Sequence, residues 1–477
     1  MKKSIPLIVA FLPALLGYLF FSTAKAQFTL TGEFRARAEL RDGQGTLLPK
    51  DAMPSFFISQ RTKLNIGYTG YRFKFFTSLQ DVRTWGQDRS TLNSTTTAPN
   101  NGFQLHEAWG EISLLDTTSK IEALSVKMGR QELVYDDERL LGGLNWLQQA
   151  RHHDAAVLKF ANKGWKLDLG FAFNQNSEYR NQPKSGQTYS PVPDQTYLGT
   201  NTIYPAGTNG IGEMYKTMEF FYVSKKFSFG SPSFLFFKDD FSKYHYALND
   251  SAKTTPVYDR ETWGRMTTGF LIPVKFYKNF SATGSAYYQF GQDKTGNMIS
   301  AYLLSLSTSI VVNNQFSFGP GMDYTSGNGA ASGNTINHQF DPLYGTPHKF
   351  WGNMDYFYAA DLFSANGVKN GLIDYYLKTK YKSSDKFILN TDIHQFFLSN
   401  QVSDNTGNRL DRNLGTEIDI VGVYNLTKYI NIEAGYSSMF ATPVMASVKV
   451  KNVNNASLQA NWAYLMVTIK PDFMAKK

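Results

Sequence analysis

The sequence predicts an all-β fold: a single transmembrane antiparallel β-barrel of about 18 strands, with short periplasmic turns and long extracellular loops. Three observations support this prediction. Apolar and polar residues alternate along segments of roughly ten residues, the length with which a tilted strand crosses a bilayer. Short, tight reversals alternate along the chain with long polar connections. Aromatic residues make up 15% of the 477 residues, as interfacial girdles require, although a large soluble β protein would also suit that content.

The connections between the alternating segments differ in length at their two ends. Short reversals occur at 69–70, 161–164, 225–226, 277–279, 382–385 and 427–429. Long connections rich in Gly, Asn, Ser, Thr and Pro span 84–104, 177–213, 239–262, 325–368 and 399–413. An outer-membrane barrel has one periplasmic and one external rim, which explains this asymmetry. An even strand number puts both termini at the periplasmic rim, and the 325–368 insertion either folds into the pore or projects outward.

The N-terminal segment has the features of a secretory signal peptide. Lys2-Lys3 precede the apolar stretch 5–21, and the motif 24–26 reads Ala-Lys-Ala, an A-x-A cleavage site. A transmembrane anchor is the alternative, but the stretch is at the short limit for a span. We therefore expect a signal peptide at 1–26 and an outer-membrane β-barrel at 27–477, located in the outer membrane of a Gram-negative cell after cleavage. The chain has no cysteine, which excludes a disulfide framework and thiolate metal sites.

The alternation assigns side chains to the two faces of each strand. In 28–40 the even positions are apolar or small, whereas the odd ones carry Glu33, Arg35, Arg37 and Glu39. A membrane barrel turns its apolar face to lipid and its polar face to the aqueous lumen. The strand-like segments 165–174, 280–290, 371–381 and 430–440 alternate in a similar way.

The same parity predicts a basic wall in the lumen. Arg35 and Arg37 point inward from the first strand, and Arg61 and Lys63 from the second. Rings of Arg and Lys favour anions in a pore. The alternative interpretation is that arginines and glutamates brace the wall, as charged lumen residues of porins often do.

Several segments resemble the outer-membrane alginate export family. They are KMGRQELVYDDERLLGGLNWLQQARHHDAAVLKF at 127–160, FFISQRTKLNIGY, SLQDVRTWG and HEAWGEI upstream, and FGPGMDYTSG, HKFWGNMDYF and GLIDYYLKTKY downstream. The resemblance implies an eighteen-stranded barrel with arginines around an electropositive constriction through which a polyuronate moves. Carried over by motif, the candidate arginines are Arg61 in SQRTKL, Arg83 in QDVRTWG, Arg130 in GRQ, Arg139 in DDERLLG and Arg151 in QQARHHD.

The odd or even position along a strand predicts opposite faces for two of these arginines. Arg130 shares its phase with Leu124, Val126 and Met128, so only a bulge near Gly129 would turn it into the lumen. Arg151, in contrast, shares the parity of a lysine eight residues later and is expected inside.

These observations lead to the hypothesis of an outer-membrane channel that passes anionic polysaccharide, such as an alginate-like polyuronate, or smaller anionic solutes by passive diffusion. Guanidinium groups bind carboxylates bidentately. No cofactor is expected, because the work is electrostatic focusing in a wet pore. The alternatives are a general or nutrient-uptake porin and a barrel-anchored surface adhesin. The expected partners are outer-membrane lipid, lipopolysaccharide and the anionic cargo, and no nucleic acid.

Catalytic and metal sites are not predicted. His152 and His153 are adjacent on a predicted strand, so they point to opposite faces and cannot chelate one ion without a bulge. A hydrolase would need Ser, His and Asn or Asp together on one surface. Three other histidines (His245, His338 and His348) fall in predicted outer loops that are polar throughout, where nearby Ser and Asn carry little meaning.

Overall fold

The computed structural model describes residues 27–86, 102–116, 118–173, 215–246, 256–329, 336–357, 370–404, 406–447 and 453–475. The predicted signal peptide at 1–26 and the predicted loop at 177–213 lie outside the described residues. Within those ranges the regular structure is β-strand, with one short 3-10 helix at Pro347–Lys349. No helix in the described ranges has the length and hydrophobicity to cross a bilayer.

The strands are long and follow one another closely along the chain. In chain order they are β1 (Gln27–Asp42), β2 (Ser55–Gly70), β3 (Phe73–Thr84), β4 (Gly102–Ser113), β5 (Ala123–Gln131), β6 (His153–Asn162), β7 (Trp165–Phe173), β8 (Thr217–Lys225), β9 (Ser233–Tyr246), β10 (Pro256–Tyr277), β11 (Phe280–Gln292), β12 (Met298–Val311), β13 (Phe316–Thr325), β14 (Ile336–Asn337), β15 (Leu372–Lys382), β16 (Phe387–Leu398), β17 (Asn413–Thr427), β18 (Ile430–Ala441) and β19 (Gln459–Ile469).

In the described part of the chain, eighteen of these strands form one closed antiparallel wall. Each pairs with its neighbours, and β1 closes the ring by pairing with β19, with Phe34 opposite Ile469. The two-residue strand β14 pairs in parallel with the start of β12 and belongs to a loop. Closure removes the sheet edges, so backbone groups of the wall are paired within the bilayer. The predicted barrel of about 18 strands is confirmed.

The predicted difference between the two rims is also confirmed. Two-residue turns such as 71–72 and 163–164 lie at the periplasmic rim, and long loops such as 132–152 and 326–371 lie at the other. The β11–β12 connection is an exception at the extracellular rim, because it is a tight turn in which the Asp293 carboxylate accepts the Thr295 backbone N–H at 2.9 Å.

The prediction of a loop over 239–262 is wrong in the length of the loop. β9 continues to residue 246 and β10 begins at residue 256, so most of this polar segment is a projecting hairpin. Cross-strand pairs continue the ladder there, with Trp263 opposite Phe241 and an ion pair between Lys243 and Glu261. Charged pairs of this kind stabilise a hairpin without apolar alternation.

The outer face of the wall is apolar. Phe75, Phe171, Phe270, Leu304 and Tyr436 are each between 45% and 53% exposed, and each has an apolar strand neighbour on the same face. Soluble monomers rarely expose apolar patches beyond a few hundred Å². This face therefore suits contact with acyl chains.

Two loops from the extracellular rim fold into the barrel. The first inner loop (132–152) connects β5 to β6, and the second inner loop (326–371, described over 326–329, 336–357 and 370–371) connects β13 to β15. Their apolar side chains, among them Leu141, Leu343, Tyr344 and Phe357, are almost completely buried. They form one hydrophobic cluster with inward-facing residues of the wall.

The two inner loops meet each other inside the barrel. Leu141 and Tyr344 form a parallel β-bridge, in which the Tyr344 N–H donates to the Leu140 carbonyl at 2.9 Å. The Thr346 N–H donates to the Glu138 carbonyl at 2.8 Å. We call the joined first and second inner loops the plug. Because these loops bond to one another and to the wall, they narrow the lumen as a single packed unit.

Candidate channel constriction

A row of basic side chains lines the inner face of β1 and β2. Arg35 and Arg61 are directly opposite in the strand register, and both are buried. Like charges directly opposite each other are destabilising unless they are compensated. Glu33 supplies part of that compensation, because its carboxylate accepts the Arg61 Nε–H at 2.8 Å. In the same way Arg37 donates to Glu39 at 2.8 Å.

These arginines bind the backbone of the first inner loop. Arg35 donates to the Asn145 carbonyl at 2.7 Å and to the Gln148 side chain at 2.9 Å. Arg37 donates to the Trp146 carbonyl at 2.9 Å, and its guanidinium lies 4.2 Å from the centre of the indole ring. The guanidinium groups of the basic wall are thus engaged with protein acceptors and hold one side of the plug.

Arg61 and Lys63 complete this row. Arg61 also approaches the Gln148 carbonyl at 3.4 Å, so it belongs to the same network. Lys63 follows Arg61 by two residues on the same face of β2. It is buried between Glu33 of β1 and Gln80 of β3. The four basic residues predicted from parity therefore lie on one continuous strip of the inner wall.

Arg139 reaches across the barrel from the first inner loop to the opposite wall. Its guanidinium donates to Asp323 of β13 at 2.5 Å and to Ser305 of β12 at 3.1 Å, and lies 3.9 Å from the centre of the Phe350 ring. Burial opposes its charge, but Asp323 and Asp137 outweigh burial and raise the pKa of Arg139 above its ordinary value. It is a permanently charged cross-link between the loop and the wall.

Arg151 ties the two inner loops together. It is buried at the end of the first loop and donates to the backbone carbonyls of Tyr344 and, at 2.5 Å, of Gly345. Those carbonyls belong to the second inner loop. Arg151 therefore lies inside the barrel, within the plug, and its role as a pore-lining residue stays a prediction.

The structure places Arg83 and Arg130 on the outer face of the wall, not in the lumen. Arg83 shares its face with the lipid-facing Leu79, and Arg130 with Met128. No bulge turns Arg130 inward, because the register of β5 runs without interruption on both sides. Near the extracellular rim, Arg130 pairs with Asp154 at 2.9 Å, and Arg83 pairs with Asp81 at 2.6 Å.

Arg265 of β10 is a buried inner residue that the sequence interpretation missed. Its guanidinium donates to Asp239 at 3.0 Å and also pairs with Asp341 of the second inner loop. The same Asp239 accepts the Tyr344 hydroxyl at 2.8 Å. The signal was present in the alternation of Arg265 with apolar neighbours, but the segment before it was interpreted as a loop.

Strand β17, three strands from β1 around the ring, holds the plug with carboxylates. Glu417 accepts the Met354 N–H at 2.7 Å, and Asp419 accepts the Asn353 N–H at 3.3 Å. The arginines of β1 and β2 donate to loop carbonyls, whereas the acids of β17 accept loop N–H groups. The charge asymmetry of the lumen wall is therefore matched to the backbone polarity of the plug.

A cavity of about 560 Å³ lies between the first inner loop and the inner face of β3 to β8. Four lysines (Lys74, Lys127, Lys159 and Lys166) line it together with four acidic residues (Glu111, Glu132, Asp136 and Asp168). Lys74 is 3.7 Å from Glu111, a loose pairing, and Lys127 lies 4.0 Å from the centre of the Trp109 ring. We call this space the lysine chamber. It is a lysine-lined part of the interior that the plug does not fill.

Residues 26–173 match the family model described as Alginate export. No sequence among curated proteins matches the chain. Among solved structures, the fold is similar to Pseudomonas aeruginosa OpdO, with 9% identity, a TM-score of 0.56 and coverage of 94% of this chain and 98% of that one. OccK9 (OpdG) of the same organism has 10% identity, a TM-score of 0.55 and coverage of 94% and 99%. OccK5 (OpdH), also from P. aeruginosa, has 10% identity, a TM-score of 0.54 and coverage of 94% and 98%.

The family match and the fold together support an outer-membrane channel. At this level of identity the solved structures bear on the fold alone. Residues 26–173 are thus similar to the alginate export family, and they are part of an eighteen-stranded barrel.

Proposed function

We propose that the signal peptide is removed after residue 26 and that residues 27–477 form a channel for anionic polysaccharide, such as an alginate-like polyuronate, or for smaller anionic solutes. Transport is by passive diffusion and requires no cofactor. The observation that carries this proposal is the lysine chamber, a cavity below the first inner loop that is lined by four lysines.

The chamber and the basic wall have different tasks in this proposal. Lysine ammonium groups are flexible point charges that bind a carboxylate weakly and release it, as conduction requires. The arginines of β1 and β2 are fixed by loop carbonyls, so they contribute potential instead of individual binding sites. A focused positive potential raises the local concentration of anions.

A general or nutrient-uptake porin is the second candidate, and one observation favours it. Arg35, Arg61, Arg139 and Arg151 donate to carbonyls and carboxylates of the protein itself. In this function the basic residues brace the plug, and selectivity follows from pore size alone.

The charge of the lysine chamber provides the decisive test. In planar bilayers with a salt gradient, the wild-type channel should show an anion-selective reversal potential. Lys127→Gln with Lys159→Gln removes two positive charges from the chamber, so the ratio of anion to cation permeability should fall by on the order of tenfold.

The matched control removes two positive charges from the outer face. Arg83→Gln with Arg130→Gln has the same net charge change, and its reversal potential should equal that of wild type. Equal effects of the two double variants, or a cation-selective wild type, would reject the anion channel and leave the size-selective porin. A barrel that does not conduct at all would point to the adhesin.

A further inference from the structure

A compact polar cluster lies where the first inner loop leaves and rejoins the wall. It consists of His106 and Glu107 on β4, Glu132 at the start of the loop and His152 at its end. Glu132 also lines the lysine chamber, whereas none of the four hydrogen-bonds to the arginines that hold the plug. The cluster brings two imidazoles and two carboxylates together at the base of a loop.

A β-bulge in β4 creates half of this cluster. Ser78 of β3 is opposite Glu107, but the next residue, Leu79, is opposite Leu105, so His106 is the extra residue. A regular strand would send His106 and Glu107 to opposite faces. With the bulge, His106 is completely buried, while Glu107 accepts the Glu132 N–H at 3.2 Å. Bulges often re-aim side chains next to functional sites.

The Glu132 carboxylate fixes the tautomer of the His106 ring. Its Oε1 lies 2.8 Å from His106 Nε2. A carboxylate can only accept, so the proton of the neutral imidazole is on Nε2 and the lone pair is on Nδ1. Ligand histidines of metal sites characteristically donate their other ring nitrogen to a carboxylate in this way.

The two imidazoles turn their Nδ1 atoms toward each other. These atoms are 3.4 Å apart, and the ring centres are 5.3 Å apart at an interplanar angle of 82°. A nitrogen–nitrogen separation of 3.4 Å is beyond the usual range of a strong hydrogen bond. Two nitrogens bound to one tetrahedral zinc ion at about 2.0–2.1 Å are about 3.3 Å apart. The observed spacing therefore fits two ligands of one ion better than a direct contact.

We propose that His106 and His152 bind a divalent transition-metal ion of the zinc class through their Nδ1 atoms, with Glu132 orienting His106. Imidazole ligands suit Zn²⁺, Cu²⁺ and Ni²⁺. His106, Glu107 and Glu132 each offer a potential ligand atom within 4.8 Å of the others, so acidic groups surround the His106 ring. Water completes the coordination.

The placement gives the ion a structural consequence. One ligand comes from the wall, and the other is the residue after Arg151, which holds the second inner loop. A bound ion would cross-link the wall to the end of the first inner loop. Ligands that bind only the folded arrangement stabilise it by mass action, so metal would favour the closed plug.

The test uses untagged protein in detergent, loaded with Co²⁺ and dialysed against metal-free buffer. Wild type should retain about one Co²⁺ per chain by elemental analysis and show the intense visible absorption of tetrahedral cobalt. His106→Ala and His152→Ala should each abolish retention. Glu132→Gln should weaken binding by roughly 10–100-fold, the usual effect of losing a carboxylate that orients a ligand histidine.

His245→Ala is the matched control, because this exposed histidine pairs with Asp259 away from the cluster. It should retain metal like wild type. Retention by wild type that is no greater than by His152→Ala would overturn the proposal, as would loss in His245→Ala. The His152 variant changes a loop residue outside the strands, so the result does not depend on refolding of the barrel. Binding is measured without conduction, and its failure would leave the channel proposal unaffected.

Discussion

Replacing Arg139 with methionine is expected to loosen the plug by about 3–5 kcal/mol, because removal of one partner leaves a buried charge uncompensated. Asp323 is 1% exposed and would keep only its neutral donors, Ser305 at 2.6 Å and the Trp351 indole N–H at 3.0 Å. Hydrogen exchange of residues 137–145 should become faster, and single-channel conductance in planar bilayers should increase. The barrel wall itself should still form.

The double variant Arg139→Met with Asp323→Asn is the control for this prediction. It removes both charges and leaves an amide that can accept from Trp351. Replacing a whole buried ion pair is often close to neutral, so most of the loss should be recovered. If exchange and conductance of the single variant equal those of wild type, the cross-link between loop and wall has no energetic role.

Arg35→Ala with Arg61→Ala is expected to have the second large effect. The first inner loop would lose the guanidinium donors to the carbonyls of residues 145, 147 and 148, and the buried carbonyl of residue 148 would have no partner, while Arg37 still donates at residue 146. Each buried polar group without a partner costs about 1–3 kcal/mol. We expect faster hydrogen exchange in this segment, higher conductance and greater sensitivity of the loop to protease.

Arg83→Ala with Arg130→Ala removes the same charge from the outer face. Those exposed pairs contribute about 0–1 kcal/mol each, so conductance should not change. The Arg35→Ala with Arg61→Ala variant could instead lose anion selectivity while its conductance and hydrogen exchange stay unchanged. That result would contradict the role of these arginines in holding the loop. In that case the arginines would act directly on the solute.

The sequence predicted the wall of the barrel well because alternation is a local signal. Period-two patterns fix which residues face lipid, and the positions of Arg35, Arg37, Arg61 and Lys63 on one inner strip follow from counting. The same signal disfavoured Arg130 in the lumen, in agreement with its outward position. The motif resemblance alone had placed Arg83 and Arg130 inside.

The plug was harder to predict because its contacts join distant parts of the chain. Arg139 and Asp323 are 184 residues apart, and no periodicity relates them. A physical signal did exist in the run LLGGLNWL at 140–147, since a loop so apolar is not stable in water and must pack against something. The bulge at His106 was equally hidden, because bulges leave no regular pattern in a single sequence.

The pairing of the first strand with the last has a consequence for biogenesis. A chain interrupted anywhere before residue 459 could not complete the ring and would present two open ladders of N–H and C=O groups. Hydrocarbon offers no hydrogen-bond partners to such ladders. Membrane insertion should therefore depend on synthesis of the final hairpin. Intermediates that lack it should require a chaperone or an assembly machine to shield both open strand edges.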